Sequence, residues 1–204
     1  AAGLELHVLQ GVRDEDMALA GALDVRPVLN SADQVRRWRE QGGNRPCSVM
    51  VDTGMNRLGV SVSEVASGLL QGLNCDLVLS HLACADEDVA MNRAQLDRFA
   101  ALRGHVPGCR MSLANSAGIS LGREYHFDLT RPGLSLYGGI ARPEAQGHIR
   151  PVARIDAQIL QRRTLLAGES LGYNATFTAT QPMELAILNL GYADGYWRGF
   201  SGRG

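Results

Sequence analysis

The sequence predicts an α/β protein built on a parallel sheet, followed by a region made mainly of strands. Three observations predict it. Six short apolar runs alternate with segments of helical period up to about residue 140. The segments between runs are long enough to hold the helices that parallel neighbours require. Beyond residue 150 the helical segments cease.

The elements follow in order. "LELHVLQ" (4–10) reads as a strand and "DEDMALAGALD" (14–24) as a helix. "RPVLN" (26–30) is a short strand, and Ser31 can cap the helix "ADQVRRWREQ" (32–41) behind it. "SVMVD" (48–52) is a strand, and "VSEVASGLLQGL" (62–73) a helix capped by Ser61. "DLVLS" (76–80) precedes a helix over 88–104, and "RMSLA" (110–114) precedes the short helical "NSAGISLG". "HFDLT" (126–130) is the sixth strand and reaches "RPGLSLYGG". The segment "GIARPEAQGHIRP" (139–151), rich in Gly and Pro, reads as a boundary. After it, "RIDAQILQRR" and "MELAILNL" read as longer strands of an all-β region. A closed (β/α) barrel needs eight strands, so six imply either an open sheet or two βα units ahead of Ala1.

Composition excludes several classes. Apolar residues make up 45% of the 204, enough for a buried core, and the net charge is −1. That balance provides no basic field for nucleic acid or an acidic membrane. No apolar run approaches the roughly 18–20 residues a membrane helix needs. "AAGLELHV" lacks the basic and long apolar regions of a signal peptide. Cys47, Cys75, Cys84 and Cys109 are widely spaced and without clustered His, which reads as free thiols in a reducing cytoplasm rather than as disulfides or a metal site. All twenty basic residues are arginine; the chain has no lysine.

Ligands of parallel α/β folds sit at the carboxyl ends of the strands. Arg57 lies just beyond the strand at 48–52, His81 follows that at 76–80, Asn115 and Ser116 follow that at 110–114, and Arg131 follows that at 126–130. One polar residue at a strand end is an ordinary structural group. Four strands in succession delivering such groups to one edge mark a site. "ANSAG" places a hydroxyl and backbone N–H groups at a helix start, where anions are favoured. "RPGLSLYGG" adds a glycine whose backbone can approach a ligand closely. The set lacks paired carboxylates at metal spacing and any Ser–His–Asp order, so a phosphate-bearing organic cofactor fits it best.

The stretches "VDTGMNRLG", "SHLACADE", "LANSAG", "DLTRPGLSLYGG", "LGYNATFTA" and "LNLGYADGY" occur in that order. In them the chain resembles the alanine racemase family, fold type III enzymes that use pyridoxal 5'-phosphate. The resemblance runs through essentially the whole chain, and "DTGMNRLG" and "GYADGY" are its most specific parts. It implies a (β/α)8 TIM-type barrel followed by a C-terminal β domain. On that reading residues 1–145 are a partial, cofactor-binding barrel lacking its first two βα units. Residues 146–204 are then the start of a C-terminal, mainly-β domain, and the chain is an internal fragment.

The resemblance also implies roles. Arg57 reaches toward the cofactor's phenolic oxygen and the substrate carboxylate. His81 stands beside the cofactor ring. Ser116, with the backbone of Gly133 and Leu134, forms the phosphate cup, with Asn115 adjacent. Arg131 hydrogen-bonds the pyridine nitrogen. Tyr173 is a catalytic base contributed across a homodimer to the partner's active site, and Tyr192 is a substrate-contacting tyrosine at that shared entrance. A guanidinium with a pKa above about 12 does not hand its proton to the ring nitrogen, which favours racemisation over transamination. Racemisation needs an acid or base on each face of a planar, cofactor-stabilised carbanion. Tyr173 serves one face if cations such as Arg57 lower its phenol pKa from about 10.

Two departures qualify that reading. The family's second base is the lysine that anchors the cofactor, which therefore lies outside this chain, and the 204 residues alone are expected to be inactive. Many members also carry a modified lysine two residues before the Asp of "DTGM"; here that residue is Met50. Arg57 then needs another counter-ion, or it is held less firmly. The expected activity of the complete protein is interconversion of L- and D-alanine for peptidoglycan. The alternatives are a broader amino-acid racemase, acting for example on serine, and a cofactor-binding but inactive fragment.

Overall fold

Each apolar run in the first 115 residues forms a strand. The computed structural model describes residues 3–200. In chain order the strands of the first unit, which extends through Val152, are β1 (Leu6–Val8), β2 (Val25–Leu29), β3 (Cys47–Asp52), β4 (Val60–Ser61), β5 (Cys75–Leu79) and β6 (Arg110–Ser112). The helices are α1 (Met17–Ala22), α2 (Ala32–Gln41), α3 (Val62–Ala66), α4 (Ala90–Ala101) and α5 (Ser116–Leu121). The sheet runs β1-β2-β3-β5-β6, parallel throughout. The short β4, not anticipated from the sequence, pairs with the end of β3, Val51 opposite Val60.

Side-chain alternation gives the sheet two unlike faces. On one, Leu29, Val49, Val51, Val78 and Met111 are fully buried against Val35 and Trp38 of α2 and Leu96 and Phe99 of α4. Phe99 also meets Phe127 edge-on, with ring centroids 5.0 Å apart. The other face is layered. Val28, Met50, Leu77 and Leu79 form a small apolar cluster at its middle. At its amino end His7 Nδ1 meets Ser48 Oγ at 2.8 Å. Beside that pair, Arg26 joins Glu5 and Asp76, and Arg110 reaches the same two carboxylates at 3.1 and 3.3 Å.

The helix starts match their sequence signals. Ser31 Oγ accepts the Gln34 N–H, and Ser61 and Glu64 form a reciprocal capping box. Two expectations need correction. The helix at 62–73 ends at Ala66, because Gly68 takes φ +88° and turns the chain. The strand at 126–130 does not form. Phe127 adopts φ +51°, and the N–H groups of Asp128 and Leu129 both donate to Met111 O. Beyond those bonds, the segment's one bridge of ladder type is isolated, Asn115 to Arg131, past the end of β6.

The second unit begins at Ala153. Its strands are β7 (Ile159–Leu165), β8 (Ser170–Leu171), β9 (Phe177–Thr178) and β10 (Met183–Leu188). β7 pairs antiparallel with β10, and β8 with β9. β7 starts five residues later than the expected strand at 154, since residues 154–158 make no ladder.

Candidate cofactor site

The polar groups named from the sequence sit on loops shaped by the strand ends. After β3, Asp52 Oδ1 accepts the N–H groups of Gly54 (2.7 Å) and Met55 (2.9 Å), folding "DTGM" into a tight turn. The chain then returns as β4 through Gly59. Its φ is +130°, and a Cβ there would stand 2.5 Å from the Asp52 N. Glycine is the residue that permits this return. Arg57, at the tip, is exposed and makes no ion pair among the described residues. Met50 lies beneath it in the apolar cluster, as its side chain requires.

After β5, Ser80 is buried and His81 is half-buried. Burial holds the His81 pKa below its usual value, and the charges of Arg131 and Arg57 act in the same direction. The imidazole is therefore neutral at neutral pH. After β6, Asn115 caps α5: its Oδ1 accepts the Gly118 N–H at 2.8 Å. Ser116 Oγ accepts two N–H groups, from Gly133 at 3.0 Å and Ser135 at 3.2 Å. Leu134 lines the same trough, but the second N–H on that oxygen belongs to Ser135, which sequence reading missed.

Among the described residues, Arg131 is held without any carboxylate. Its guanidinium donates to Ser112 Oγ, Ser80 O and, at 3.3 Å, Leu113 O. Desolvation lowers its pKa to about 10, which leaves it protonated near neutrality. A cavity of about 350 Å³ is lined by Met50, Asp52, Arg57, His81 and Arg131 among others. A wider trough of about 650 Å³ shares Met55, His81 and Arg131 with it and continues to Asn115, Ser116, Gly133 and Leu134. The structure thus brings together the seven site residues expected in the first unit.

Tyr173 and Tyr192 belong to the second unit. Each opens a 3-10 turn, Tyr173–Ala175 and Tyr192–Asp194, and the two residues are 81% and 61% exposed. Chemically, the first-unit site offers an oxygen-sized focus of two N–H donors at one end, a desolvated cation and a neutral imidazole at its centre, and an unpaired cation at its rim. That order suits a planar, phosphorylated heteroaromatic group with a carboxylate nearby.

Several residues that shape the site were not anticipated. Thr53, Ser80 and Ser112 carry their hydroxyls inside apolar strand ends, and Gln95 reaches the same loops from α4. The available signal for Gln95 was its position. Asn92, Gln95, Leu96 and Phe99 fall on one buried helical stripe, so two amides stand where apolar side chains belong.

Comparison with known proteins shows the chain's relatives. The family described as "Alanine racemase, N-terminal domain" matches residues 1–141, and "Alanine racemase, C-terminal domain" matches residues 152–204. The biosynthetic alanine racemase of Agrobacterium fabrum is 44% identical over 98% of this chain and 53% of its own length. An alanine racemase of Methylobacterium nodulans is 42% identical over 97% of the chain and 56% of its own length. Among solved structures, the alanine racemase of Bartonella henselae, described with covalently bound pyridoxal phosphate, superimposes with a TM-score of 0.83 at 30% identity. It is matched over 98% of this chain and 58% of its own. The biosynthetic enzyme of Pseudomonas aeruginosa gives 0.82 at 32% identity, over 97% and 58%. The chain spans a little over half the length of the relatives it matches.

Proposed function

This chain belongs to the alanine racemase family, and from that premise we propose that the whole protein interconverts L- and D-alanine with pyridoxal 5'-phosphate as its cofactor. The observation that carries the reading is Arg131: a desolvated guanidinium paired with no carboxylate among the described residues, lining one trough with His81 and the N–H pair that converges on Ser116. The residues fit the cofactor on this evidence. Two N–H donors already aimed at one hydroxyl oxygen can turn to a phosphate oxygen. None of the 204 residues is a lysine, so no side-chain amine of this chain can hold the cofactor covalently.

Bound pyridoxal phosphate supplies an electron sink for negative charge developing at the substrate Cα. The residues here bind and orient. Ser116 Oγ with the N–H groups of Gly133 and Ser135 holds the phosphate, with Asn115 shaping the start of α5 and Leu134 covering the trough. Arg131 donates an N–H to the ring nitrogen and keeps its own proton there. His81 presents an uncharged imidazole to the ring. Arg57, free of any ion pair among the described residues, receives the substrate carboxylate. Tyr173 moves a proton at its Oη on one face of the substrate, and the lysine that serves the other face is not among these residues.

The reading extends to assembly and place. The exposed rings of Tyr173 and Tyr192 support a homodimer in which Tyr173 enters the partner's site and Tyr192 lines its entrance. We place the protein in the cytoplasm, supplying D-alanine to peptidoglycan, where Cys47, Cys75, Cys84 and Cys109 remain reduced thiols. No helix among the described residues is long and apolar enough to cross a membrane.

The test has two parts. Pyridoxal phosphate titrated into this chain is expected to bind saturably by absorbance, with no covalent attachment after borohydride. L-Alanine incubated with the whole protein and cofactor is expected to yield D-alanine by chiral chromatography. Absence of D-alanine overturns the proposed activity, and absence of saturable binding overturns the site.

A further inference from the structure

Gln95 lies on α4 and is fully buried; it lines neither the cavity nor the trough described above. Its side-chain amide is nevertheless fully engaged by the loops that carry the site. Oε1 accepts the Ala83 N–H at 2.9 Å, and Nε2 donates to His81 O at 3.0 Å and to Thr53 Oγ1 at 3.1 Å. One amide therefore ties the end of β3 to the loop after β5.

These partners also fix the direction of every bond that Gln95 makes. A backbone N–H only donates and a backbone carbonyl only accepts, so the amide has one possible orientation. Thr53 Oγ1 accepts from Gln95 and shares a hydrogen bond with Ser80 Oγ, 2.8 Å away. Ser80 O in turn accepts from Arg131, whose other amino group donates to Ser112. The bonds from α4 and those from the guanidinium thus meet at Ser80, the first at its hydroxyl and the second at its carbonyl. A separate arm holds the backbone of His81. Arg98 reinforces the same point, donating to Thr53 O at 2.8 Å.

We propose that Gln95 is a positioning residue: through Thr53 and Ser80 on one arm and the His81 carbonyl on the other, it sets where Arg131 and His81 meet the cofactor ring. The significance of this assignment rests on the cofactor reading above. The hydrogen-bond direction itself does not. Among the described residues, Gln95 makes no hydrogen bond with Ser116, Gly133 or Ser135. Its influence therefore falls on the ring end of the site and spares the phosphate end.

The variants are Gln95→Met, close in shape but without the amide, and Gln95→Glu, whose carboxylate accepts but does not donate. Thermal melts followed by circular dichroism establish that each is folded. Three readouts follow on this chain. NMR of the Arg131 guanidinium is expected to show resolved, slowly exchanging Nη–H signals in the unaltered protein and averaged signals in Gln95→Met. Pyridoxal phosphate affinity is expected to fall on the order of tenfold in Gln95→Met, the equivalent of one lost hydrogen bond, with a shifted absorbance maximum. Inorganic phosphate is expected to bind both forms equally. In Gln95→Glu, lowering the pH is expected to restore cofactor affinity in part, since a protonated carboxyl regains one donor.

Unchanged Arg131 signals in a folded Gln95→Met overturn the proposal, and so does equal weakening of phosphate and cofactor. If the unaltered chain binds no pyridoxal phosphate, the functional reading fails while the Arg131 signals still decide the positioning role.

Discussion

Arginines stand at both ends of the parallel sheet, and what they pair with differs. At the amino end Arg26 and Arg110 share Glu5 and Asp76, a network in which each cation has carboxylate partners from its own chain. At the carboxyl end Arg131 is bound to one hydroxyl and two carbonyls, and Arg57 to nothing among the described residues. Two apolar layers of the same strands separate these ends, Val28 and Met50 on one face and Val49 and Val51 on the other. A charge matched inside the fold has finished its work in stabilising it. A cation partnered only by neutral groups retains its charge for something that arrives from outside.

That contrast can be broken most severely at Arg131. Arg131→Ala is expected to abolish detectable pyridoxal phosphate binding. It also strands the Ser80 and Leu113 carbonyls, costing about 1–3 kcal/mol in urea unfolding. Retained binding would make Arg131 a structural residue like Arg26. A smaller effect belongs to the amino end. Asp76→Asn removes a carboxylate shared by the half-buried Arg26 and the exposed Arg110 and is expected to cost about 1 kcal/mol of stability with no change in cofactor affinity. A loss of affinity there, measured in the same titration, would erase the distinction between the ends.

The smallest effect is one of pH. The Arg26 and Arg110 guanidinium groups hydrogen-bonded to Glu5 lower its pKa from 4.5 to about 2. A depressed carboxyl contributes stability above its unfolded value and loses it as the pH falls through its folded value. Melting temperature is therefore expected to drop between pH 4.5 and about 2. Glu5→Gln should flatten that drop, as read by melts at stepped pH. An undiminished acid dependence would mean that other carboxylates carry it.

Much of the first unit was legible because its signals are local. The strands show their apolar runs, Ser31 and Ser61 their caps, and Asn115 its position before α5. The errors arose where a backbone angle overrode the pattern. The run at 126–130 looks like a strand, but the positive φ of Phe127 and the pull of Met111 O bend it. Gln95 illustrates a different limit. A polar residue on a buried stripe is visible in the sequence, but its partners lie 42, 14 and 12 residues away, and no spacing rule names them. Ser135 was overlooked for a related reason, since the donor there is a backbone group that carries no sequence label. In the second unit the paired strands β7 and β10 were legible from composition, whereas the start of β7 depends on where its ladder with β10 begins.

The pair of N–H groups on Ser116 Oγ has a consequence for how the phosphate end works. The hydroxyl acts as an internal stand-in, keeping the Gly133 and Ser135 amides pointed at one spot. On the proposed function, capturing a phosphate there would exchange one acceptor for another, with the entropy of ordering the loop already spent during folding.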